Sequence, residues 1–216
     1  MSKIATLTEA VEPIKDGDTI MLGGFGPWGF PGRMVRALLL QNEAKDLYFI
    51  TNGPNAMYMQ TFEKLLFKRS RGIAATFVRG SAAAEKLYAE GKLELVPQGT
   101  FAERLRAGGF GIPAFLTPVG VGTQVAEGKQ VTEVDGKRCL LEKAFHADVA
   151  LIRATKVDTL GNCYMRGSTK AFSALMPPAA KYTVVEAEEI VKPGKIDPEL
   201  VTVPSIFVDA IVKVGD

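Results

Sequence analysis

The segment Asp16–Pro31 reads Asp-Gly-Asp-Thr-Ile-Met-Leu-Gly-Gly-Phe-Gly-Pro-Trp-Gly-Phe-Pro, and few folds accommodate it. A polar turn at Asp16-Gly17-Asp18 leads into the short apolar run Thr19–Leu22, which reads as a buried strand. A glycine-rich loop follows, and Pro31-Gly32 opens a helix. Glycines in such a loop take φ > 0 without penalty and let the backbone approach a ligand closely. A helix N-terminus just behind them favours an anionic or carbonyl group. The segment is that of a ligand loop on an α/β sheet.

The rest of the chain agrees with a sheet covered on both faces. Thr6 to Glu9 fits a capping box, which predicts a first helix running to about Pro13–Lys15. Met34, Val35, Leu38 and Leu39 recur at helical spacing, and that helix ends near Asn42. Leu47–Thr51 reads as a strand, Ile73–Val78 as a strand, Ala82–Glu90 as a helix stopped by Gly91, and Leu93–Val96 as a strand. Pro97-Gln98-Gly99-Thr100 then leads into a helix around Phe101–Arg106. Strands alternating with helices predict an α/β fold with an open, mostly parallel sheet and helices on both faces. Residues 108–136 change character, with Gly108-Gly109-Phe110-Gly111-Ile112-Pro113 rich in backbone punctuation. Val131–Val134, the turn Asp135-Gly136 and Arg138–Leu141 predict a hairpin, part of a small antiparallel excursion around 115–141. Ala147–Ile152, Lys181–Val185 and Ile206–Val214 complete the strands. No linker or low-complexity segment divides the chain, so residues 1–216 are expected to form one domain.

Composition narrows the functions. Hydrophobic residues make up 47% and charged residues 23%, which suits a soluble protein with a real core. A net charge of +2 with no Lys/Arg-rich block does not mark a nucleic-acid binder. The densest basic patch, Lys68-Arg69-Ser70-Arg71, reads as a solvated helix end. Cys139 and Cys163 stand far apart, which implies neither a disulfide framework nor a zinc site. The first residues lack a signal-peptide run, and no stretch nears the ~18 apolar residues of a membrane span, so a cytoplasmic setting is expected.

Several motifs admit two readings. Gly24, Gly26 and Gly29 match the dinucleotide fingerprint in spacing. The Rossmann form also needs an acidic residue after the next strand, and that strand ends in Thr51-Asn52-Gly53. His146 is the single histidine and sits just before a strand, where a structural role is expected. Glu186, Glu188 and Glu189 lie at a strand end and read as surface charges, although carboxylate acid/base chemistry stays open. Gln98 lies in a loop between Pro97 and Gly99: it either faces water or donates an amide hydrogen bond to a developing oxyanion. No complete catalytic grouping emerges, which points to a reacting side chain on a partner.

At Asp16–Pro31 the chain resembles the α subunit of the class I (family I) coenzyme A-transferases, the group containing 3-oxoacid, acetate and acetoacetate CoA-transferases. The signature of that family is met at Asp16, Gly17, Ile20-Met21-Leu22, Gly23-Gly24-Phe25, Gly29 and Pro31. The likeness extends through Pro97–Thr100, Ala102–Gly109, Thr117–Thr123, Ala150–Ala154, Asp158–Asn162, and Thr183–Glu186 with Glu189-Ile190-Val191.

The resemblance implies a transfer of CoA between a short-chain acyl-CoA and a carboxylic acid such as acetate, butyrate or a 3-oxoacid. It implies ping-pong covalent catalysis with the nucleophilic glutamate on a β subunit, and an α2β2 assembly. It makes Gln98 an oxyanion donor, and it makes Gly23, Gly24, Phe25, Gly26, Pro27, Trp28 and Gly29 a CoA-associated loop, with Phe25 and Trp28 along the acyl or pantetheine channel. Asn52 is placed near the substrate carboxylate. Ketone-body members carry two adjacent asparagines there, whereas this chain has Asn52-Gly53. CoA enters as substrate, and no metal or redox nucleotide is implied. The alternatives are a non-catalytic acyl-CoA or small-acid sensor of the same fold, and an acyl-CoA hydrolase subunit.

Overall fold

Eleven strands and six α-helices follow the expected alternation among the described residues, which in this computed structural model are 3–54 and 59–215. Met1, Ser2 and Asp216, which the single-domain expectation includes, lie outside them. The elements that matter for the site are α1 (Leu7–Val11), β1 (Thr19–Leu22), α2 (Gly32–Gln41), β2 (Leu47–Thr51), α3 (Gln60–Arg69), β3 (Ser70–Ala75), α4 (Ala82–Ala89), β4 (Leu93–Leu95) and α5 (Gln98–Gly109). They continue with β5 (Ala114–Thr117), β6 (Val131–Val134), β7 (Lys137–Lys143), β8 (Ala147–Asp158), β9 (Cys163–Tyr164), the short α6 (Lys170–Ser173), β10 (Ala180–Val191) and β11 (Ala210–Lys213).

Among the described residues, eight strands form one sheet in the order β11-β10-β8-β1-β2-β3-β4, with β9 added antiparallel to β8. Every neighbouring pair along that path is parallel. Parallel strands are buried on both faces, which is why β1 is apolar at consecutive positions rather than alternating. Ile20 and Leu22 pack with α1, α2, α3 and α4 in one core. Met21 points the other way, into a second core with Phe101 and Leu105 of α5, Phe172 and Met176. The chain winds outward from β1 to β4, crosses back along the α5 face, and resumes at β8 on the other side of β1. The carboxyl end of β1 therefore stands at the point where the winding reverses, the usual place for a ligand crevice in such sheets.

The predicted antiparallel excursion is present as the sheet β5-β7-β6. Its turn is Asp135-Gly136, with φ of 49° and 74°, as a two-residue hairpin requires. Glu142 of β7 is 1% exposed and anchors the excursion: it accepts from Lys129 at 2.6 Å and lies 3.8 Å from Arg104, which also pairs with Glu94.

Five expectations need correction. The capping box at Thr6 and Glu9 forms, but α1 stops at Val11, because Pro13 has no N–H to continue the ladder. The strand expected at Ile73–Val78 is β3, three residues earlier at each end. The basic patch is not simply solvated. Arg69 has a side chain 11% exposed and donates to the carbonyls of Leu38, Leu39 and Asn42, closing the C-terminus of α2. Gly108 and Gly109 are not loop punctuation but the last turn of α5, where a Cβ on Gly109 would lie 2.7 Å from Pro178 Cβ. Finally, β8 and β10 are twice the expected length. Their distal halves carry charges that pair across the two strands, Arg153 with Glu188 at 3.0 Å and Lys156 with Glu189 at 3.2 Å. No described helix is long and apolar enough to cross a membrane.

Candidate functional site at the carboxyl edge of the sheet

Because β1 to β4 run parallel, the residues that follow them share one edge. Those residues are Gly23 after β1, Asn52 after β2, Thr76 after β3 and Gln98 after β4. At about 4.8 Å per strand, Gln98 stands roughly 14 Å from the β1 loop and roughly 10 Å from Asn52. The topology gathers all the predicted site residues on one edge. His146, exposed just before β8, lies at the opposite edge.

The glycine loop is held from below. Gly23 N–H donates to the Leu151 carbonyl of β8 at 2.9 Å. Gly24 N–H donates to the Ser173 hydroxyl at 2.9 Å, and Ser173 is fully buried. Above these bonds the loop closes on itself. Phe25 N–H donates to the Trp28 carbonyl at 2.8 Å and Trp28 N–H returns to that of Phe25 at 3.1 Å, so Gly26-Pro27 forms the tip. Gly24 takes φ of +100° with its Cα against the backbone of Trp28, Gly29 and Phe30, where no side chain fits. Gly29 rests on Thr169. The loop is thus rigid at its base and aromatic at its tip, with Phe25 41% and Trp28 66% exposed. The Phe25 ring lies 6.5 Å from Phe172, which meets Phe101 of α5 edge-on at 5.0 Å. That ring series links the loop to the helix that carries Gln98.

The α2 N-terminus differs from expectation. Glu186 is not a surface charge; it is 1% exposed, in the middle of β10. Its Oε2 accepts from Arg33 N–H at 3.0 Å and Met34 N–H at 3.2 Å, while Oε1 lies 3.8 Å from Arg153. α2 has no side-chain cap of its own, so a carboxylate from the opposite side of the winding point caps it. The positive end of that helix is already occupied and does not wait for a substrate anion. Burial raises the Glu186 pKa, and the Met34 and Arg33 amides with Arg153 oppose that rise. Glu188 and Glu189 are the exposed, paired charges expected.

A group whose pKa is higher in the folded than in the unfolded state favours folding at low pH. Its contribution is lost as pH rises. The stability of the native chain relative to Glu186→Gln should therefore fall as pH rises from the ordinary carboxylate value of 4.5 through the raised one. Urea unfolding of both chains at stepped pH reads this directly; a difference independent of pH would show that the buried carboxyl does not titrate in this way. Glu186→Ala, which orphans two amide donors, should cost about 1–3 kcal/mol.

Gln98 is not in a loop. It is the first residue of α5, behind Pro97, and it is exposed. α5 has no side-chain cap, in contrast to α2 with its carboxylate. Asn52 is 4% exposed, and its carbonyl accepts from both the N–H of Thr76 at 2.9 Å and its hydroxyl at 2.7 Å. Its Oδ1 lies 3.3 Å from the same hydroxyl. Ser173 and the capping role of Glu186 escaped the sequence reading. Glu186 did carry a signal, since Val184, Val185 and Ala187 surround it with apolar residues typical of a buried strand.

Residues 4–214 match the model of the Coenzyme A transferase family. The chain belongs to that family. It is 42% identical over 216 residues to the α subunit of succinyl-CoA:3-ketoacid coenzyme A transferase of Helicobacter pylori, covering 99% of this chain and 93% of that one. It is 40% identical to the α subunit of 3-oxoadipate CoA-transferase of Pseudomonas putida, covering 97% and 92%. It is also 42% identical to the mitochondrial succinyl-CoA:3-ketoacid coenzyme A transferase 2A of Mus musculus, covering 95% of this chain but only 43% of that protein. This transferase chain thus spans less than half the length of the mitochondrial relative. The fold also matches glutaconate coenzyme A-transferase from Acidaminococcus fermentans, with a TM-score of 0.83 at 23% identity over 99% of this chain and 76% of the other.

Proposed function

We propose that this chain is the α half of a CoA-transferase that moves CoA between a short-chain acyl-CoA and a carboxylic acid. The observation that carries the reading is the shared edge: an aromatic-tipped glycine loop locked by Ser173, and an exposed amide, Gln98, opening an uncapped helix. The bacterial relatives are each named as one subunit of their enzyme, which supports a β partner for this chain. An α2β2 assembly in the cytoplasm is the expected form.

In this reading the partner supplies a glutamate. Its carboxylate attacks the thioester carbonyl, the C–S bond breaks, and an acyl–glutamyl anhydride and CoA thiolate form. The thiolate attacks the glutamyl carbonyl, releases the first acid and leaves a glutamyl-CoA thioester. An incoming carboxylate runs the same steps in reverse. Each attack creates a negative oxygen, and the Nε2 amide of Gln98 stabilises that oxygen more than it stabilises the ground-state carbonyl. Phe25 and Trp28 line the acyl or pantetheine channel, the glycines between them admit CoA to the backbone, and Asn52 orients the acid.

Co-expression with the β subunit, followed by an assay with acetyl-CoA and butyrate or acetoacetate, tests the reading. Transfer by the pair and none by this chain alone is the expected result. A complex that binds CoA without transferring it favours a sensor, and one that releases free CoA to water favours a hydrolase.

A further inference from the structure

Gly53, beside Asn52, has none of the left-handed backbone that calls for glycine. Space explains it instead. A Cβ at position 53 would meet the Phe77 ring at Cε1, Cζ and Cδ1, the last at 2.6 Å. Phe77 follows Thr76 directly, and Thr76 holds the Asn52 carbonyl through both its N–H and its hydroxyl. The ends of β2 and β3 are therefore clamped together, with the ring seated in the notch between them. Phe77 is half-buried and, among the described residues, joins neither apolar core of the sheet. A phenyl ring that packs into no core, at the carboxyl edge one strand away from the strand next to the glycine loop, is placed as a wall of the site rather than as part of the interior.

We propose that Phe77, seated on Gly53, sets the acid selectivity of this site, favouring unsubstituted short-chain carboxylates over 3-oxo acids and dicarboxylates. The proposal rests on the transferase reading above. The wall offers a ring face and a residue without a side chain, so it presents no side-chain donor to a second oxygen on the acid. An acid carrying that oxygen must give up its water there without a replacement hydrogen bond. Sites that hydrogen-bond a substrate group discriminate strongly by that bond, and a site that lacks the donor loses the corresponding preference. Position 53 cannot regain a polar side chain while the ring stays, because the two compete for one volume. Selectivity is thus assigned to a pair of residues rather than to the missing side chain alone.

The test uses the complex with the β subunit and one donor, acetyl-CoA. It compares kcat/KM for butyrate with that for acetoacetate and succinate. The native complex should prefer butyrate by about tenfold or more. Phe77→Ala, which opens the notch to water, should cut that preference at least severalfold, and Phe77→Leu, which keeps the wall apolar, should retain most of it. A native complex that uses acetoacetate or succinate as well as butyrate overturns the proposal, and does so without any variant. An unchanged ratio in a folded Phe77→Ala complex overturns it as well, while leaving the transferase reading intact. Absence of transfer with every acid would instead overturn the transferase reading and this proposal with it.

Discussion

Replacing Gln98 with alanine lowers kcat by at least about 10²-fold, with CoA still bound by the complex. The expectation follows from where the residue stands. Gln98 opens α5 at the carboxyl edge, its helix has no side-chain cap, and its amide is exposed rather than spent on a neighbour in the fold. Its loss should therefore leave stability nearly unchanged, since surface substitutions that break no contact stay within about 0.5 kcal/mol. A donor aimed at an oxygen that becomes charged only during reaction contributes to kcat far more than to binding. Exposure has a second consequence. A hydrogen bond to an oxyanion is strong only where water is excluded, so the partner must cover this edge for Gln98 to act. Steady-state kinetics with saturating acyl-CoA, paired with a CoA-binding measurement, separates the two quantities. An unchanged kcat would remove Gln98 from the chemistry.

Gly24→Val abolishes transfer, leaving less than about 1% of native activity, and it destabilises the chain. Two costs act together. The native φ of +100° lies where a β-branched residue is strained, a cost of about 1–3 kcal/mol. The added Cβ would also lie 2.8 Å from backbone atoms of Trp28, Gly29 and Phe30, which cannot rotate away as a side chain tip can. The loop must open, and the Gly24 bond to Ser173 opens with it. Gly26→Ala is the natural comparison. Its φ is +57°, but a Cβ there meets nothing within 4 Å, so a loss of about 1 kcal/mol with most activity retained is expected. Urea unfolding and kcat measured on both variants give the contrast. Full activity in Gly24→Val would reduce the loop to a structural turn.

The elements nearest the site were legible because their signals are local. Thr19–Leu22, Leu47–Thr51 and the start of α2 are specified by short apolar runs, by glycine and proline, and by helical spacing within a few residues. The hairpin at Asp135-Gly136 was legible for the same reason. What stayed hidden depends on partners far along the chain. Arg69 looks like a surface cation until it is seen to close a helix about 30 residues upstream. Glu186 looks like a surface carboxylate until the α2 amides, 152 and 153 residues away, are found around it. The distal half of β8 reads as loop because its charges are satisfied only by β10. Gln98 was found by its residue type and spacing, but its place as the first residue of a helix was not, since Pro97 and Gly99 mask the helical start. Phe77 carried no signal at all. Only the close approach of its ring to Gly53 reveals it.

The central claim is that this chain shapes and stabilises the reaction while its partner carries the covalent intermediate. Intact-protein mass spectrometry of the complex with the β subunit, denatured promptly after mixing with acetyl-CoA, tests this most directly. The expected result is a CoA adduct on the partner chain and an unmodified mass for this one, with the adduct discharged on adding a carboxylate. A CoA or acyl adduct on this chain, or transfer that proceeds with no adduct on either, would contradict it.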